Sequence, residues 1–243
     1  MSSEQENLEE LEQRFAEAQP GVPYLNLGNP SAIAAHAASR LDMPGLAEGS
    51  VSRAGEGNMN GVFRISAADQ SVILKQSRPW VEKYPFIPAP MDRLRVEAAF
   101  YECVGRSDEA RAHMPELLDN DLGSRSMILE DLGQASDFTG LYSGEALETA
   151  DLDQLADFLV DLHRIEGTDV ERAILVNPRM RRLNHEYLFE VPLREDNGVD
   201  LDAITEGLRD LARRLMDDVS YRRRIAWLGQ LYLTDGPTLI HGD

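Results

Sequence analysis

Ala54-Gly55-Glu56-Gly57-Asn58-Met59-Asn60-Gly61-Val62-Phe63, followed shortly by Ser71-Val72-Ile73-Leu74-Lys75-Gln76, is the stretch that decides the fold. The first segment is a turn rich in glycine and asparagine between two strand-like runs, Glu48–Arg53 and Gly61–Ala67. The second, Ser71–Gln76, is a third strand, and the three read as an antiparallel meander. Glycine lets backbone N–H groups approach a phosphate closely, and asparagine tolerates left-handed geometry while offering an amide. A tight hairpin without a ligand fits the same residues. No Gly-Lys-Ser/Thr follows the turn and no helix opens after it, so neither of the two common phosphate loops fits.

A glycine loop bridging two antiparallel strands is the kinase-type arrangement, which covers phosphates from above. Lys75 lies in the next strand, where Ile73 and Lys75 share one face and Val72 and Leu74 the other. The chain has two lysines, Lys75 and Lys83, beside 22 arginines. A lysine on an apolar strand in such a chain marks a place where a compact ammonium is not interchangeable with a guanidinium; a strand-end lysine reaching solvent is the alternative. An ammonium under the glycine turn needs a carboxylate to hold it. In the helix expected from Met91 to about Val104, residues Leu94, Glu97, Ala98 and Tyr101 recur at helical spacing, so Glu97 falls within the apolar stripe or at its edge. A buried carboxylate without a cation is costly, so Lys75 and Glu97, 22 residues apart, are expected to pair.

Outward from this core, Ser3 begins a helix over Glu4–Ala18, and a second helix is expected over Ser31–Leu41. A Pro-rich loop (Pro79, Pro85, Pro88, Pro90) precedes the Glu97 helix, and strands at Pro115–Asp119 and Ser126–Glu130 bring the count to five. After Asp131 the pattern turns helical. Leu152, Leu155, Phe158, Leu159 and Leu162 mark one face of a helix ending near Gly167, and further helices are expected at Pro178–Phe189, Leu201–Met216 and Tyr221–Leu233. Thr238–Ile240 reads as a final strand leading into His241-Gly242-Asp243, where an aspartate on a polar turn could accept an alcohol proton. The expected fold class is α+β, with residues 1–131 as a strand-rich lobe, 132–243 as a helical one, and the joint near Asp131–Ser136.

The composition is that of a soluble globular chain: 42% hydrophobic, 28% charged, and a net charge of −19. That charge repels phosphate backbones and anionic lipid, which argues against nucleic-acid and membrane-surface partners. With no long apolar run and no basic-plus-apolar leader at Met1–Ala18, a cytoplasmic location is the expectation. Cys103, the single cysteine, reads as a small core hydrophobe and His163 as a core histidine. His36, His113 and His185 show no metal-ligand spacing.

The order of these features resembles the protein-kinase-like phosphotransferases of small molecules, the aminoglycoside and choline kinase group, and within it the methylthioribose kinase family. The segments that carry the likeness are Gly55–Phe63, Ile73-Leu74-Lys75-Gln76, Glu130-Asp131-Leu132 and Leu239-Ile240-His241-Gly242-Asp243. The resemblance implies a two-lobed kinase-like fold and ATP-dependent phosphorylation of the 1-hydroxyl of methylthioribose in methionine salvage, with ATP and Mg2+ as cofactors and a small sugar as substrate. It leaves room for a homodimer. It places Gly55, Gly57, Asn58, Asn60, Lys75, Glu97, Glu130, Asp131 and Leu132 around ATP, and Asp243 at the sugar hydroxyl as base and substrate-binding residue. In that family the chain continues past His-Gly-Asp into an Asp-x-Glu metal-binding segment. This sequence stops on Asp243, so the resemblance implies an incomplete helical lobe, magnesium ligands lying outside this chain, and a fragment inactive by itself. The alternatives are a related kinase of an aminoglycoside, choline or homoserine, and a nucleotide-binding module that does no chemistry.

Overall fold

The computed structural model describes residues 3–55, 59–68, 70–133, 138–236 and 238–240. In chain order its elements begin with α1 (Ser3–Ala18), α2 (Pro30–Leu41), a 3-10 turn (Pro44–Glu48), β1 (Ser50–Arg53), β2 (Asn60–Ala67) and β3 (Gln70–Ser77). There follow β4 (Trp80–Val81), β5 (Tyr84–Pro88), α3 (Arg93–Val104), α4 (Asp108–Arg111), β6 (Leu117–Asp121), β7 (Ser126–Glu130), α5 (Thr149–Arg164) and α6 (Asp169–Leu175). The last helices are α7 (Pro178–His185), α8 (Leu201–Ile204), α9 (Leu208–Asp217) and α10 (Val219–Thr234). Five strands form one sheet in the order β1-β2-β3-β7-β6, with every neighbouring pair antiparallel. The fold is α+β, as expected. The chain forms two compact units, one of residues 1–175 with 238–243 and one of 176–237. The lobe joint expected after Asp131 falls inside the first.

The period-2 alternation of β2 and β3 gives the sheet two different faces. Phe63, Ile65, Val72, Leu74 and Ile128 point to one side and are buried with Ile33, Ala34 and Ala37 of α2 and Leu46 of the 3-10 turn. The start of α2 is set by Asn29, whose side-chain oxygen accepts from Ala32 N at 3.2 Å, with Pro30 as the first helical residue. The other face carries Val62, Ile73, Lys75, Met127 and Leu129, because residues directly opposite across a ladder share a side. There α3 packs, burying Leu94 and Ala98 against Met127.

The structure corrects several expectations. The Pro-rich segment contains a short antiparallel ribbon, β4 with β5, in which Trp80 lies opposite Pro88. Prolines are tolerated there because a two-stranded ribbon has only edges. The helix expected at Leu201–Met216 is broken between α8 and α9, where Gly207 takes a φ of +84°. The helix expected to reach Phe189 ends at His185 and passes into a π turn over Glu186–Glu190. Residues 238–240 are not a strand; Leu239 packs on the cluster of Phe100, Val104 and Leu162. His163 is exposed rather than in the core, since Leu162 is the buried residue on that part of α5. Cys103 is fully buried, as its reading as a core hydrophobe expected.

Candidate functional site

Lys75 and Glu97 meet as the apolar stripe of α3 requires. Lys75 Nζ donates to Glu97 Oε1 at 2.6 Å, and the side chains are 19% and 12% exposed. Lys75 lies across the ladder from Met127, which is buried with Leu94 and Ala98 in a cluster that Tyr101 borders. Burial, with the nearby Glu97 carboxylate as a smaller contribution, pushes the Tyr101 phenol above its ordinary range. The bond to Glu97 uses one of the ammonium's three donors.

The described flanks of the glycine turn, Ala54-Gly55 and Met59–Gly61, lie at the same end of the sheet. Val62 is opposite Lys75, and Ala54 N donates to Val62 O at 3.1 Å, so the end of β1 and the start of β2 stand beside the lysine. Gly55 has a φ of +66° with open space where a side chain would stand, as a backbone that must approach a ligand needs. Asn60 is buried, and its Oδ1 accepts from Arg93 Nε at 2.9 Å, so that oxygen faces α3. Gly57 and Asn58 lie outside the described residues, as does Asp243.

Three buried polar side chains around the turn were not among the expected site residues. Arg93, the first residue of α3, also donates to Met59 O at 2.6 Å and to Arg78 O and Pro90 O at 2.7 Å each. Gln76 donates to Pro23 O at 2.8 Å and accepts from Leu25 N at 3.0 Å, which fixes the segment between α1 and α2 to the end of β3. Arg78 is fully buried, bonded to Gln76 and to Leu25 O, with its guanidinium 4.4 Å from the centre of the Tyr24 ring. Burial lowers its pKa, against the pull of Glu82. A side chain at Gly61 would collide with this guanidinium, so the turn's second arm is glycine by necessity.

At the end of β7 the expected residues separate. Glu130 points away from the Lys75 face, and its Oε2 accepts from Glu116 N at 3.1 Å. Leu132 is 59% exposed. The Asp131 carboxylate is used within the sheet by Arg64 at 2.8 and 2.9 Å, Ser71 at 2.6 Å and Gly133 N at 3.0 Å. Burial raises its pKa, but these donors together outweigh it and hold the carboxyl below its ordinary value. What this segment offers a ligand is backbone rather than carboxylate.

The open space at Gly55 and the clamped ammonium suit the phosphates of a nucleotide. Among the described residues no three His, Cys, Asp or Glu side chains are grouped to hold a metal ion. No helix of the described residues is long and apolar enough to cross a membrane.

A five-stranded antiparallel sheet, a strand lysine ion-paired to a helix glutamate, and a run of helices later in the chain are consistent with a two-lobed protein-kinase-like fold. No protein-family model matches the chain. Among curated proteins it is similar to the methylthioribose kinase of Exiguobacterium sibiricum, with 27% identity over 207 residues, 78% of this chain and 50% of that protein. It is also similar to those of Bacillus pumilus, 25% identical over 208 residues, and Bacillus mycoides, 22% identical over 199, each again covering 78% of this chain and 49% of the relative. The chain thus spans about half the length of the curated relatives it matches.

Proposed function

We propose that this chain carries the nucleotide-binding part of an ATP-dependent small-molecule kinase whose acceptor is the 1-hydroxyl of methylthioribose, in methionine salvage. The observation that carries the reading is the 2.6 Å ion pair between Lys75 on β3 and Glu97 on α3, beside a turn whose Gly55 is open to a ligand. Glu97 fixes the ammonium, and the ammonium's remaining donors hold phosphate oxygens. The backbone of Gly55 and its neighbours covers those phosphates, and the backbone of Glu130 to Leu132 lines the adenine edge. Asp243 takes the proton of the attacking hydroxyl. ATP, when bound with magnesium, supplies the phosphoryl group and the metal neutralises charge on it. The names of the relatives supply the sugar.

The test has two arms. Calorimetry of the 243-residue chain with Mg2+–ATP measures binding, and saturable binding is expected. Phosphorylation of methylthioribose, with choline and an aminoglycoside as competing acceptors, is measured on a chain extended through a metal-binding segment. Preference for another acceptor rejects the sugar and keeps the kinase; absence of ATP binding rejects both.

A further inference from the structure

We propose that Arg93 is a positioning residue that ties the glycine turn to α3, so that the turn and the Lys75 ammonium are placed by one rigid element. The inference rests on the nucleotide reading of the site for its functional consequence, and on geometry alone for the tie itself. Arg93 stands at the first position of α3, where the helix dipole disfavours a cation. It is nevertheless 6% exposed. Its guanidinium spends four hydrogen bonds on three separate segments: Met59 O and Asn60 Oδ1 at the end of the turn, Arg78 O just past β3, and Pro90 O before the helix. A planar fork can serve so many acceptors at fixed angles, whereas an ammonium with three donors cannot. Glu97 lies four residues on, hence on the same side of α3 one turn later, and holds Lys75. The N-terminal turn of α3 therefore grips the loop that would cover the phosphates while its next turn grips the cation that would pair with them. A displacement of α3 moves both together.

The experiment compares wild type, Arg93→Lys, Glu97→Gln and the double variant on the whole 243-residue chain. Hydrogen exchange without nucleotide reads the tie. In Arg93→Lys the amides of Asn60 to Val62 are expected to exchange about tenfold faster, with the strands β6 and β7 unchanged. Nucleotide titration reads the consequence. Each single variant is expected to weaken ATP about tenfold, and the double variant no more than the worse single one, because both act through the seating of α3. Unchanged exchange at Asn60 to Val62 overturns the tie, and multiplied losses in the double variant overturn the shared placement. If wild type binds no ATP, the nucleotide reading fails while the exchange result still decides the tie. Should Arg93→Lys fail to fold, Asn60→Ala, which removes one of the four acceptors, is read in the same way, with about threefold faster exchange expected.

Discussion

Asp131 receives both Nε and Nη2 of Arg64, at 2.8 and 2.9 Å, so the first residue past β7, where the chain leaves the sheet, is locked back onto β2. Ser71 adds a third donor at 2.6 Å. Asp131→Asn should therefore cost about 1–3 kcal/mol in a urea unfolding experiment at neutral pH. The carboxyl's pKa is lowered in the fold, so its stabilisation is complete above the ordinary carboxylate value of 3.8 and disappears as pH falls through the folded value. Wild type and variant should converge in stability at the acid end; a constant gap down to strong acid would show that the charge is not what the fold uses.

Lys75→Arg keeps the charge but replaces the compact ammonium that meets Glu97 at 2.6 Å with a longer, planar guanidinium whose donors lie elsewhere. ATP affinity measured by calorimetry should drop about tenfold, the equivalent of ~1.4 kcal/mol. An unchanged dissociation constant would remove Lys75 from the phosphate site.

Gly61→Ala should destabilise the chain by about 1–3 kcal/mol, because the added methyl meets the fully buried Arg78 guanidinium, which cannot move without giving up Gln76 and Leu25. Gly55→Ala, where a side chain has open space, should cost about 1–2 kcal/mol from its φ of +66°. Thermal melting distinguishes the two when each is combined with Arg78→Met: relief of the first and not the second is expected.

His36 Nε2 bonds Ser126 Oγ at 2.9 Å beneath α2, and burial lowers its pKa from the ordinary 6.5, against Asp121 and Asp119 and with Arg40. Below pH 6.5 the unfolded chain takes up a proton that the folded one resists, so stability should fall as pH drops from there toward the lowered value. His36→Gln should flatten that slope in urea midpoints measured across the range. An equally steep slope in the variant would assign it to another group.

Burial keeps Cys103 at the back of α3 with its thiol pushed above the ordinary value, the nearby Arg106 opposing. A thiol reagent should leave it unmodified in the native protein and label it fully in denaturant. Native labelling at the denatured rate would contradict the packing.

The Lys75–Glu97 pair was legible because both residues sit in apolar periodic runs, and an unpaired charge there is expensive whatever the tertiary detail. Arg93 was not, because its acceptors include backbone carbonyls of Met59, Arg78 and Pro90, which have no sequence signature. Glu130 was placed at the ligand by the family resemblance; strand parity turns its side chain from the face that carries Lys75 and Met127, which leaves only its backbone for such a role. The ribbon at Trp80–Pro88 was hidden by its prolines, which spell a loop unless both strands are edges. The five strands and the long helices were readable because their apolar spacing is unambiguous; the break at Gly207 depended on a local φ that the periodic pattern around it overrode.

The bonds from Gln76 to Pro23 and Leu25 join positions about fifty residues apart. During synthesis α1 and α2 leave the ribosome well before β3 exists, with Phe15, Ile33 and Ala37 still lacking the partners that bury them in the finished fold. That early segment gains its hydrogen bonds only when the end of β3 supplies Gln76, followed by Arg78. The link between the N-terminal segment and the strand that bears Lys75 is therefore a non-local one, completed only after Arg78 has emerged.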